Sequence, residues 1–253
     1  IAPEREEHGE RLKEVTEALT RQQFEEQIAA GFRAVRASNA KKARDHYQKA
    51  TNISAGRNEL SILMGEITAL EKSIVIDNAL ARAQADVRKD DWQSARVNFV
   101  KVLAESPGNP IAQDGLKNAD QILQLQESFR QFFAAPYRLA DRKVQGVAKN
   151  ILASAKKTSQ HSYSIKTQAD QLELLLAQLS RDISVLITSD TKTDILVRGI
   201  GKVGVVAQKE IQLRPGRYTF EGTRDGYKSK LLHVLIPYDK DTFTLFITCD
   251  EPI

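Results

Sequence analysis

The spacing of apolar residues changes once along this chain, near residue 183, and that change constrains the fold more than any motif does. Upstream, for about 180 residues, apolar side chains recur every three to four positions, as helices that bury one stripe require. Downstream, about 70 residues alternate apolar with polar, as half-buried strands do. The expected fold is α+β in two parts. A charged leader helix over residues 1–23 precedes a helical array over 24–182. A small antiparallel β-sandwich follows over 183–253.

Charge distribution says more than its sum of +4. Residues 1–30 hold eight Glu against four Lys or Arg. Residues 31–58 hold seven Lys or Arg against only Asp45, and residues 136–166 hold seven against only Asp141. The two basic stretches are the acceptors expected for an acidic partner. A single cysteine, Cys249, excludes an internal disulfide, and its apolar setting from Phe243 onward reads as a buried small hydrophobe. No run of 18 apolar residues is present. Residue 1 is Ile and the only Met, Met64, is internal, so we expect a segment of a longer or processed chain, with any signal peptide or membrane anchor outside it.

Pro3 and the acidic run Glu4, Glu6, Glu7 and Glu10 suit a helix N-terminus. Leu12, Val15 and Leu19 begin an apolar stripe that Phe24, Ile28, Phe32 and Val35 continue to a break at Ser38-Asn39. A second helix follows, with Ala43, Tyr47, Ala50 and Ile53 on one face. Gly31, Ala43, Tyr47 and Ala50 together resemble a tetratricopeptide repeat, although Ala55-Gly56 stands where that family ends a repeat with proline. A fuller match spans residues 76–109: Ala83 on the first helix, Ala95, Phe99 and Val102 on the second, then Pro107-Gly108 and a restart at Pro110. The two matches lie 52 residues apart, and the spacing predicts an inserted helix from Leu60 to Val75. The resemblance implies a superhelix whose concave face takes a peptide or a partner helix.

Further helices are predicted over 110–125 and, after the cluster Phe129, Phe132 and Phe133 and the breaker Pro136, over 137–155 and 164–181. The last pair reads as a hairpin that caps the array. From Ile183 onward, Ile183/Val185/Ile187, Ile195/Val197, Val203/Val205 and Ile211/Leu213 alternate with polar residues, and Pro215-Gly216 and Asp225-Gly226 signal turns. The segment Ile211 to Tyr218, followed by Asp225-Gly226-Tyr227, resembles a PEGA domain, with Arg214-Pro215-Gly216-Arg217 in place of the family's namesake tetrapeptide. That resemblance implies a non-catalytic surface module of the bacterial or archaeal envelope, often found beside helical repeats. It is the only pointer to compartment: a periplasmic or other extracytoplasmic position.

No catalytic constellation stands out. Gly199-Ile200-Gly201-Lys202-Val203-Gly204 spells a dinucleotide fingerprint, but Val205 to Leu213 alternates as a strand where that fingerprint needs a helix. The histidines His8, His46, His161 and His233 are dispersed, so neither a metal nor a cofactor is expected. The expected function is that of a non-catalytic scaffold or adaptor in a bacterial envelope assembly. It would bind a protein partner through the basic residues Arg33, Arg36, Lys41, Lys42, Arg138, Arg142 and Lys149. The alternative is glycan binding by Tyr218, Tyr227 and Tyr238 of the β part, with the helices as a spacer. A third reading gives residues 136–157 an anionic polymer or lipid headgroup. Nucleic acid is not an expected partner.

Overall fold

The computed structural model describes residues 3–253; Ile1, Ala2 and the side chains of Pro3, Glu4, Arg5 and Glu6 lie outside the described residues. It has the two-part α+β layout, seven α-helices followed by seven strands. Its contacts form two compact units, Ile1–Ala119 and Asp120–Ile253, with the division inside one helix.

In the first unit, α1 (Pro3–Arg36) pairs with α2 (Ala40–Ile53), and α3 (Asn58–Arg88) with α4 (Trp92–Glu105). Every side chain of α1 from Glu7 to Gln23 is exposed, and Phe24 is the first buried one. The helix is about 51 Å long at 1.5 Å per residue, so the leader is a bare arm continuous with the first hairpin. The predicted helices Leu60–Val75 and 76–88 are one helix, α3. No breaker separates Val75 from Ile76, and the lone Gly65 is tolerated in a helix interior. The 52-residue spacing therefore comes from long first helices and not from an insertion.

That spacing is carried residue by residue. Ala43 and Ala50 of α2 have their counterparts in Ala95 and Val102 of α4, all buried completely. Ser38 and Asp90 both adopt left-handed φ, 55° and 61°, in the interhelix turn. The next residues, Asn39 and Asp91, cap the second helices by accepting from Lys42 N and Ser94 N. The N-terminal half of α3 covers the first hairpin: Leu60, Leu63 and Ile67 share a core with Phe24, Ile28, Ala43 and Ala50. The start of α5 (Pro110–Ala134) does the same for the second, where Ala112 and Leu116 join Ala83, Ala95, Phe99 and Val102.

The second unit holds the rest of α5, then α6 (Arg142–Thr158), α7 (Tyr163–Ser180) and the strands. α5 runs through the Phe129–Phe133 cluster and stops at Ala134, ahead of Pro136. Residues Pro136–Ala140 form a 3₁₀ turn, so α6 starts at Arg142, capped by Asp141, and not at 137. Ala148, Leu152 and Ala155 of α6 stand 53 residues beyond Ala95, Phe99 and Val102 and are likewise buried. Ile165 and Leu172 of α7 stand 53 beyond Ala112 and Ala119. The terminal hairpin thus repeats the helical pattern a third time.

The strands are β1 (Ile183–Thr188), β2 (Asp194–Val197), β3 (Gly201–Val205), β4 (Gln208–Leu213), β5 (Gly216–Thr223), β6 (Lys230–Ile236) and β7 (Thr242–Phe246). They form a three-stranded sheet in order β4-β1-β7 and a four-stranded sheet in order β3-β2-β5-β6. Inward residues of both sheets, among them Val185, Ile187, Ile195, Phe220, Ile236 and Leu245, make one core, so the arrangement is a sandwich. It is not wholly antiparallel: β7 leaves the four-stranded sheet and joins β1 in parallel, with Ser184 opposite Thr242 and Thr188 opposite Phe246. Pro215-Gly216 forms the corner between β4 of one sheet and β5 of the other. Arg181, at the end of α7, donates to Asp241 Oδ1 at 2.6 Å and to the carbonyls of Tyr238 and Lys240, fixing the β6–β7 turn beneath the helix.

Two glycines test the helical packing in opposite directions. A Cβ on Gly115 would stand 2.3 Å from the Phe99 ring, whereas one on the exposed Gly65 would meet nothing within 4 Å. Gly115→Ala is expected to destabilise the protein by about 1–3 kcal/mol through overpacking. Gly65→Ala is expected to stabilise it by about 0.5–1 kcal/mol through helix propensity. Chemical denaturation of the two variants against the parent chain measures both.

Candidate partner-binding surface

The basic residues named from the sequence fall into two groups, one in each unit. Arg33 and Arg36 end α1 and Lys41 and Lys42 open α2, so the tight turn at Ala37–Asn39 brings four cations to one end of the first hairpin. All four are exposed, and among the described residues none has an ion-pair partner. Arg44 is different: it grips Glu71 of α3 through two hydrogen bonds, at 3.0 and 2.6 Å, and this contact raises its own pKa and lowers that of Glu71. Lys41 and Lys42 sit at the positive end of the α2 dipole, which opposes cations there. Their placement does not serve helix stability.

In the second unit Arg138 and Lys143 border a half-open groove of about 300 Å³ between α5 and α6. Phe132, Ala135, Val144, Val147 and Ile151 form its apolar walls. Val147 is 56% exposed, a large apolar side chain left facing solvent. Arg142 and Lys149 are exposed two turns apart on α6 and are not part of the groove lining.

The helical repeat makes this groove unusual. The corresponding cleft between α3 and α4 is lined by Asn78, Arg82, Asn98, Lys101 and Glu105 together with Val75, Ala79 and Ala104. Ile151 occupies the position of Asn98 there, and of His46 in the first hairpin. Phe132 occupies that of Ala79 and Gln27. His46 and Gln27 satisfy one another at 2.9 Å, and Asn98 Nδ2 donates to Asp86 at 2.8 Å. Two repeats place a hydrogen-bonded polar side chain at this position, and the third places hydrocarbon there. Only the structure separates the partly exposed stripe Val144, Val147, Ile151 from the buried stripe Ala148, Leu152, Ala155 on the same helix.

The three tyrosines of the glycan alternative each have an intramolecular role. Tyr218 packs on the sandwich core, and burial raises its pKa. Tyr238 meets Tyr137 edge-on, with ring centroids 5.4 Å apart. Tyr227 lies at the far end of the β5–β6 hairpin, with the Arg224 guanidinium 3.8 Å from its ring centroid. The same Arg224 pairs with Asp190 at 3.3 Å. Cys249 is buried and closes the core beneath Gly222. Gly201 and Gly204 lie in β3 with positive φ, and β4 follows β3 directly, so no helix stands behind the glycine string.

No protein-family model and no curated protein matches this chain.

Asp190 supplies the clearest electrostatic signature. Its carboxylate accepts from the backbone N–H of Lys192 first, and also from that of Thr193, which holds its pKa well below the ordinary carboxylate range. A folded-state pKa below the unfolded value means the stabilisation is complete above about pH 4 and is lost as pH falls through the folded value. Asp190→Asn should therefore flatten the acid limb of the stability curve below about pH 4 while lowering stability at pH 7. Urea midpoints measured between about pH 2 and pH 7 read this out.

Proposed function

We propose that this chain is a non-catalytic adaptor of a bacterial cell-envelope assembly, in which the helical repeats hold a protein partner and the β-sandwich braces them or contacts a second component. The observation that carries this reading is the change of character in the third repeat. Phe132 and Ile151 stand where the second repeat has Ala79 and Asn98 and the first has Gln27 and His46, and they are bordered by Arg138 and Lys143, which have no ion-pair partner among the described residues. An amphipathic partner helix with two or three aliphatic side chains and a neighbouring carboxylate complements such a groove in both shape class and charge. Burying the exposed faces of Val147 and its neighbours would supply the affinity, and the cations would set orientation.

The envelope assignment rests on the PEGA-like segment. Its supporting features are the Pro215-Gly216 corner, Tyr218 packed on the core, and the Asp225-Gly226-Tyr227 turn between β5 and β6. The tetratricopeptide-like reading is supported by helix pairs joined through small residues, with a period of 52–53 residues where that family has 34. No helix among the described residues is long and apolar enough to cross a membrane.

A photo-crosslinking residue placed at Val147 of the whole chain, used in an envelope fraction of the native organism, tests the groove directly. One defined protein should be captured at position 147 and not at Gln208 on β4. Arg138→Glu with Lys143→Glu should weaken its binding by at least about tenfold, near 1.4 kcal/mol. Equal capture at both positions, or binding indifferent to the charge reversal, rejects this reading.

A further inference from the structure

Four strands border the two sheets, and three of them are poor templates for pairing with another chain. β3 is five residues long, holds Gly201 and Gly204, and meets β2 through an irregular register at Ile195/Leu196. β4 exposes Gln208, Lys209 and Glu210. β7 is five residues long and turns Thr242, Thr244 and Phe246 outward. Such shortness, irregularity and charge are the usual defences of an open edge. β6 lacks them. It has seven residues, its only charged side chain is Lys230, and that one faces Asp250 at 3.6 Å. Its outward residues Leu231 and Leu235 are 45% and 43% exposed.

The backbone of this edge is also oriented for pairing. Arg198 N donates to the carbonyl of Thr219 at 3.0 Å, so Thr219 turns its peptide groups toward β2. His233, opposite Thr219 in β6, therefore turns its own N–H and C=O away from β5, as alternation in an antiparallel ladder requires. Leu231 and Leu235, two residues to either side, do the same. The open window has fixed ends. Pro237 has no N–H to extend it, and residues 250–253 already lie along the other end, with Lys228 N donating to Glu251 O at 2.8 Å and Tyr227 bridged to Pro252.

The window reads nearly the same from both ends: Leu231-Leu232-His233-Val234-Leu235. The geometry points to a homodimer in which β6 pairs antiparallel with β6 of a second copy, on a two-fold axis at His233. In that register Leu231 faces Leu235 of the second copy on the outer surface and Leu232 faces Val234 on the inner one. His233 faces itself. About six backbone hydrogen bonds form between narrow pairs, and the two four-stranded sheets become one of eight strands. The pairing is isologous and closed, so it yields a dimer and not a fibre. Registers centred on Leu232 or Val234 put a wide pair on the axis and leave only 231 with 233, or 233 with 235, to bond, about four hydrogen bonds in place of six. Centring on Leu231 or Leu235 would run into the 250–253 segment or Pro237. His233 is the centre that uses the whole window.

Sedimentation equilibrium of the whole chain from about 1 µM to about 1 mM, the range in which a small interface saturates, tests this. The expected result is a reversible rise from monomer to dimer with no larger species. His233→Pro removes an N–H that β5 does not use and that an edge strand can spare. It should shift the dissociation constant upward by at least tenfold with the far-ultraviolet spectrum unchanged. Leu231→Lys with Leu235→Lys should do the same through charge on the outer surface. A short bis-maleimide should join two copies of His233→Cys and should not join two copies of Phe246→Cys on β7. A monomer across the whole range, a dimer indifferent to both variants, or crosslinking at 246 in place of 233 overturns the proposal.

Discussion

The helical part depends on how closely its helices approach, and side chains with almost no bulk set that distance. Ala43, Ala50, Ala83, Ala95, Ala112, Ala119, Ala148 and Ala155 are all fully buried, and Gly31 and Gly115 lie against Leu63 and the Phe99 ring. A larger residue at any of these places would push neighbouring axes apart and open the local cores, such as the one that Phe24 and Leu63 fill and the one that Phe99 fills. The recurrence of small residues at 52–53 residue intervals therefore specifies packing, while the caps at Asn39, Asp91, Asp141 and Ser162 specify where each helix begins.

Much of this was legible in the sequence because it is local. The break at Ser38-Asn39, the restart at Pro110, the turn before Tyr163 and the switch to strands at Ile183 all depend on residues within a few positions of one another. What was not legible is non-local or graded. The continuity of α3 through Val75-Ile76 was obscured by a repeat template with a shorter first helix. The direction of β7 was hidden because alternation gives a strand's faces and not its sense. The groove beside Val147 was hidden because exposed and buried apolar stripes look alike until a neighbouring helix covers one of them.

The candidate surface follows from the same repetition. A repeat is a set of equivalent positions, so a departure at one of them is informative in a way that a single exposed valine is not. His46 with Gln27, and Asn98 with Asp86, hold this position by polar bonds within the chain. Ile151 and Phe132 make it apolar, and the basic neighbours Arg138 and Lys143 give it a sign. Counting charges along the chain finds the stretch but cannot tell a free cation from a paired one such as Arg44, which is bonded to Glu71.

The parallel pairing of β1 with β7 has a mechanical consequence. The first and last strands of the sandwich lie side by side and run in the same sense, from Ser184–Thr242 to Thr188–Phe246. Tension drawn between the start of β1 and the end of β7 would slide one strand along the other. The rungs between them would then share the load and fail together, whereas a hairpin pulled at its open end gives way one rung at a time. Arg181, clamped to Asp241 at the entrance to this pair, sits where such a load enters the sheet.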